Sequence, residues 1–161
     1  MDLVLLADDG VDAGAPARRE AARERHLASI RASAAAGRLL MSGPRLRADG
    51  SVAGSLQVFR LPDRTAMEAY LAEEPFAREG VWASWKVLDA RLAPAAWWPQ
   101  PGRSGGEAGP LHAFAILARD GTDADAPARR LAVRPRHFER LAGEVAAGRA
   151  RLGGAILDAP E

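Results

Sequence analysis

No cysteine occurs in this chain, so disulfides, thiolate metal ligands and cysteine nucleophiles are all excluded. Lysine is nearly as scarce: Lys86 stands alone, and the positive charge rests on arginine. Basic and acidic residues number 22 and 21, which leaves no excess of either sign to attract nucleic acid. No apolar run approaches the roughly 20 residues that cross a bilayer, and no membrane association is expected. The opening MDLVLLADDG has a short apolar run without a basic leader, closed at once by two aspartates, so it reads as a buried strand and not a signal peptide. These features are compatible with a cytoplasmic protein, the expected compartment. A glycine-rich phosphate loop, a Gly-x-Ser-x-Gly elbow and a dinucleotide fingerprint are missing too, since GRSGGEAG has neither a strand before it nor a helix after it.

What the chain does have is an internal repeat. His26 and His137, Gly37 and Gly148, Pro16 and Pro127, and Gly43 and Gly154 all lie 111 positions apart. Aligned without gaps, residues 3–50 and 114–161 are identical at 22 of 48 positions, where composition alone would give roughly one in ten. The second copy ends opposite Gly50. The expected organisation is therefore a complete unit over 1–93, a proline- and glycine-rich linker over 94–110, and an incomplete second copy over 111–161. Trp97 and Trp98 fall in the linker, and adjacent tryptophans are expected to pack on one of the units or on a partner.

The first unit reads as strand, helix, strand, strand, helix, strand. Leu3 to Ala7 is an apolar run of strand length, and Asp8 to Pro16 is a flexible connection. A helix over Ala17 to Ala36 follows, with Pro16 in its first turn and Gly37 closing it in a left-handed conformation. Leu27, Ile30 and Ala34 recur at helical spacing and are expected to face the core, with His26 at the border of that stripe. Arg38 to Ser42 reads as a strand broken by Gly43-Pro44. Ser55 to Leu61 alternates as a buried strand, Asp63 caps a second helix that Pro75 interrupts, and Trp82 to Leu92 supplies the last strand. This order in a unit of about ninety residues is the ferredoxin-like α+β pattern, βαββαβ. So small a unit buries a modest share of its surface, so association into a homodimer, or pairing of the two copies within one chain, is expected. The second copy offers a strand from His112 to Ala118, a helix from Ala128 to Ala147 and a strand near Ala150 to Leu157. In a ferredoxin-like sheet a third strand separates the first two, so this partial βαβ segment is expected to borrow a strand edge or to be loosely ordered.

Three histidines and the carboxylates near them are the only candidates for chemistry. His112 has no counterpart in the first copy and reads as structural or exposed. His26 reads either as a helix-border histidine satisfied by a backbone or carboxylate contact, or as an acid–base group. Glu74, placed just before the break at Pro75, can point across to the first helix, where a His/carboxylate pair moves protons at neutral pH without metal or cofactor. The histidines lack HxH or HxxxH spacing, so no metal site is expected.

Arg25-His26-Leu27, Ala36-Gly37-Arg38 leading to Ser42-Gly43-Pro44, Gly54-Ser55-Leu56, and Glu74-Pro75-Phe76 followed by Gly80 together make residues 1 to about 92 resemble the YciI-like (YCII-related) family. The resemblance implies a ferredoxin-like fold of the dimeric α+β barrel type, with a pocket between sheet and helices. It also implies an active-site pair carried here by His26 and Glu74, the latter standing where the family motif Asp-Pro-Phe has aspartate. The longer side chain must adopt a different rotamer to meet the same imidazole. Family members with related chemistry abstract protons and eliminate groups from small ring compounds, so the implied activity is a cofactor-free lyase or isomerase acting on a small polar or aromatic molecule. Ser42, Gly43 and Ser55 are the implied substrate-binding groups. The alternative is a non-catalytic module that binds a metabolite or another protein. In the second copy Gly153-Gly154-Ala155 replaces Ser42-Gly43-Pro44 and His137 has no carboxylate partner, so that copy is expected to be catalytically empty.

Overall fold

A computed structural model of the chain describes residues 1–94, 97 and 113–157. Among these, residues 1–92 and 154–157 form one compact unit and the described residues between 93 and 153 another. In the first, β1 (Asp2–Asp9), β2 (Leu39–Leu46), β3 (Val52–Arg60) and β4 (Trp82–Leu92) make an antiparallel sheet. Helices α1 (Ala15–Ala35), α2 (Arg64–Glu73) and the single turn α3 (Pro75–Arg78) connect them. The sheet order is β2-β3-β1-β4-β5, with β5 (Gly154–Ile156) as its last strand. The order β2-β3-β1-β4 is the ferredoxin-like arrangement read from the sequence.

Strand alternation sorts the sheet into two faces. Leu3, Leu5 and Ala7 of β1 are fully buried, and the register sets them beside Phe59, Gln57 and Ser55 of β3. These join Met67 of α2 and Phe76 of α3, so this face carries the helices. Burying each such aromatic or aliphatic side chain contributes roughly 1.5–3 kcal/mol. The two inner strands leave no room for a side chain at Gly54, where a Cβ would stand 1.9 Å from the Ala7 carbonyl oxygen and φ is +156°. Only glycine fits there.

Three local readings need correction. β2 does not stop at Gly43-Pro44 but continues to Leu46, because β2 is an edge strand and a proline there costs no ladder bond on its outer side. On α1 the buried stripe is Ala22, His26 and Ser33 with Ile30 packed beside it, whereas Ala34 is exposed and Leu27 half-buried. Small residues let the helix lie close to its neighbours, and His26 sits on the buried line and not at its border. The strand expected from His112 to Ala118 does not form over the described residues 113–118, and His112 lies outside them. Without paired neighbours a strand has no backbone partners, and Phe114 and Ile116 stay 86% and 89% exposed.

The second unit holds α4 (Ala126–Ala146), which closes at Gly148 with φ +70° as α1 closes at Gly37 with φ +68°. Asp123 bonds Arg129 at 2.6 Å, matching Asp12 and Arg18 at 2.6 Å one repeat earlier. Phe138, Leu141 and Val145 are half-buried, and Trp97 meets the Phe138 ring edge-on at 5.4 Å; Trp98 lies outside the described residues. β5 pairs antiparallel with Ala90 to Leu92 of β4, so this strand borrows the edge of the first unit's sheet. No helix among the described residues is long and apolar enough to cross a membrane.

Candidate active site

Pro75 sets the geometry of the carboxylate. A residue before proline is driven out of the helical region, and Glu74 accordingly takes φ −67° and ψ 120° between α2 and α3. Its side chain turns back to cap α3, accepting a hydrogen bond from the Phe76 N–H at 3.2 Å. The same oxygen, Oε1, lies 2.6 Å from Nδ1 of His26, so the longer side chain does reach the imidazole. Tyr70, one turn earlier on α2, places its hydroxyl 2.8 Å from the other oxygen, Oε2. The carboxylate is fully buried and the His26 side chain 8% exposed.

The imidazole is held flat against Phe76, with ring centroids 3.8 Å apart and planes 9° apart. Trp82, the first residue of β4, meets both rings edge-on at 6.0 and 5.9 Å. Such contacts add about 0.5–1.5 kcal/mol each beyond burial and remove the ring's freedom to turn. Arg19, two turns before His26 on α1, sets its guanidinium 4.7 Å from the Phe76 centroid and pairs with Asp9 at 2.5 Å.

Electrostatics keep the carboxylate ionised. Burial alone raises the Glu74 pKa, but the bonds from His26, Tyr70 and the Phe76 N–H outweigh it and hold the group below its ordinary 4.5. Tyr70 moves the other way: burial and the adjacent Glu74 charge push it far above its ordinary 10.0, against the pull of Gln57 and Ser29. The phenol therefore stays protonated and donates. An ionised carboxylate has no proton to give, so the proton in the 2.6 Å contact belongs to His26 Nδ1. Nε2 bonds no group among the described residues, and in this tautomer it is a bare base.

The other sequence-selected residues are spread more widely. Ser55 is buried on the helix face of β3 and accepts from Trp82 Nε1 at 3.2 Å, which ties it to the aromatic cluster around His26. Ser42 is exposed on β2, opposite Gln57 in register, and Gly43 stands opposite Leu56. His137 is exposed on α4, where Arg140, Leu141 and Glu144 line a shallow recess with it, and among the described residues no carboxylate bonds it. No group of three His, Asp or Glu side chains among the described residues is placed to hold a metal ion.

Tyr70 and Gln57 escaped the sequence reading. The signal for Tyr70 is its spacing: four residues before Glu74, it shares a helical face with it. Gln57 is a polar residue at an inward position between Ser55 and Phe59, and inward polar residues need partners.

Comparison with known proteins gives three findings. The family model for the YCII-related domain matches residues 1–91. Among solved structures, 5-chloro-2-hydroxyhydroquinone dehydrochlorinase from Burkholderia phenoliruptrix AC1100, in complex with 2,5-dihydroxybenzoquinone, superposes with a TM-score of 0.51 at 19% identity, covering 58% of this chain and 96% of that one. At this identity the likeness concerns the fold. No curated protein matches the chain.

Proposed function

The chain belongs to the YCII-related domain family, and from that premise we propose that its first unit binds a small polar or aromatic molecule and performs cofactor-free acid–base chemistry of the lyase or isomerase kind. The observation that carries this reading is the buried 2.6 Å contact between Glu74 Oε1 and His26 Nδ1, which leaves Nε2 without a bond among the described residues. In the proposed reaction Nε2 takes a proton from a carbon or hydroxyl of the substrate. The electron pair left behind either expels a leaving group from the neighbouring carbon, as in elimination, or is reprotonated elsewhere by the imidazolium, as in isomerisation. Glu74 does not leave its carboxylate form. It orients the ring and stabilises the imidazolium, a division of labour that is well known for buried carboxylate–histidine pairs.

The dehydrochlorinase of like fold binds a dihydroxybenzoquinone, which supports hydroxylated rings as first probes. Ser55, beside the aromatic cluster, and Ser42 and Gly43 on β2 are the proposed substrate-binding groups. Thermal-shift titration with 2,5-dihydroxybenzoquinone is expected to stabilise the wild type and to lose that effect in His26→Ala. Equal stabilisation of both proteins, or none of either, contradicts this reading for that substrate class.

One observation favours a second reading, a binding module without turnover. His26 is almost enclosed, so a ligand must open or border a small window to meet Nε2. Under that reading a ligand stabilises the wild type and is recovered unchanged, with no exchange of its C–H protons for solvent deuterium.

A further inference from the structure

The hydroxyl of Tyr70 lies within bonding distance of two oxygens, 2.8 Å from Glu74 Oε2 and 3.0 Å from Gln57 Oε1, yet it has one proton to donate. Gln57 is fully buried on β3, and its Nε2 has no partner among the described residues. Each observation is costly alone, since an enclosed N–H donor without an acceptor loses about 1–3 kcal/mol. A single change relieves the competition at Tyr70 and pairs one of the two amide N–H bonds. The two ends of a glutamine amide are nearly alike in shape, and exchanging them turns the Gln57 nitrogen toward Tyr70. The Gln57 N–H then donates to the Tyr70 oxygen, and the Tyr70 proton is free for Glu74. What is left unpaired is the second amide N–H and, at the far end, a carbonyl oxygen, in place of two unpaired N–H bonds.

We propose that Gln57 and Tyr70 form a directed hydrogen-bond chain, from the Gln57 amide to the Tyr70 hydroxyl to Glu74 Oε2, that fixes Glu74 as acceptor and so holds His26 with Nδ1 protonated and Nε2 bare. This deepens the proposed acid–base reading by assigning Gln57 and Tyr70 as positioning residues, each acting on the imidazole through Glu74. The chain runs from the floor of the sheet to α1 through four side chains on four separate segments: β3, α2, the α2–α3 junction and α1. Groups facing Glu74 are His26 from α1, Tyr70 from α2 and the Phe76 N–H from α3, while Arg19 lies over the Phe76 ring and pairs with Asp9. Bonds along such a chain polarise one another, so the direction of the first donor matters to the last acceptor.

The sign of one titration tests the direction. With the carboxyl carbons labelled, the Glu74 midpoint is followed by NMR in the wild type, Gln57→Leu, Tyr70→Phe and the double variant. The chain predicts an upward shift in Gln57→Leu, a larger upward shift in Tyr70→Phe, and no further change when Gln57→Leu is added to Tyr70→Phe. If Gln57 instead accepts from Tyr70, removing it frees the hydroxyl for Glu74 and the midpoint falls. A fall, no change, or an equal effect of Gln57→Leu with and without Tyr70 overturns the proposal. Should Gln57→Leu not fold, the wild type decides. Cross-relaxation between the Gln57 side-chain amide protons and the Tyr70 ring protons ortho to the hydroxyl is expected, and its absence refutes the chain. Failure here leaves the His26-dependent ligand stabilisation untouched, so the two claims fail separately.

Discussion

Glu74 is the residue through which the site responds to acid. Its folded-state pKa is depressed below the ordinary 4.5. The stability it contributes is therefore fully present above pH 4.5 and is lost as pH falls through the lower folded value. Glu74→Gln is expected to cost about 2 kcal/mol near neutral pH, because the charge-assisted bonds from Nδ1 and Tyr70 become neutral ones. The same substitution should flatten the pH dependence of stability below 4.5, which chemical denaturation at a series of pH values checks. An unchanged profile would mean that another carboxylate dominates. Phe76→Ala removes the surface on which the imidazole lies and is expected to cost about 3–5 kcal/mol as a core truncation. It should also broaden the His26 ring resonances, an effect that loss of packing elsewhere does not produce.

Among the elements, β1 and β3 leave no room for a side chain at Gly54. Gly54→Ala drives a methyl into the Ala7 carbonyl, where a Cβ would stand at 1.9 Å, and also forces alanine to φ +156°. Thermal unfolding should show a loss of several degrees or failure to fold, whereas Gly43→Ala, with open space around it, should leave the melting temperature nearly unchanged. The elements themselves were legible where one residue type forces a local outcome. Asp63 caps α2 at the Ala66 N–H, Gly37 closes α1, and Pro75 divides α2 from α3, all as spacing suggests. Two outcomes depend on tertiary position and carry no local mark. β2 runs through Pro44 because it lies at the edge of the sheet, and α1 buries Ala22 and Ser33 in place of its larger apolar residues because the helix lies close to its neighbours. At the site, the pairing of His26 with Glu74 was legible because proline constrains the residue before it. The contribution of Gln57 was not, because it depends on which strand lies under α2.

For the molecule as a whole, the repeat does not yield two equivalent units. The first organises a sheet around β1, while the residues matching β1 one repeat later stay unpaired and exposed over 113–118. Among the described residues of the second copy, those matching Gly43 to Arg45 find strand pairing, as β5 on the edge of β4. Amide exchange is therefore expected to be slow in β1 and β3, slower in β4 near Ala90 than at its other end, and fast throughout 113–121. We also propose that two chains associate, since a unit of about ninety residues buries only a modest share of its surface. Light scattering at micromolar concentration should give twice the chain mass of 17.1 kDa, and a monomer contradicts the pairing. The fold of the first unit serves one arrangement, a buried carboxylate holding one imidazole nitrogen so that the other stays bare. The most direct measurement of that arrangement is long-range proton–nitrogen NMR of the His26 ring, taken at a pH where the ring is neutral. The account predicts a protonated Nδ1 and an unprotonated Nε2, both lost to tautomer averaging in Glu74→Ala; a wild-type ring carrying its proton on Nε2 would contradict it.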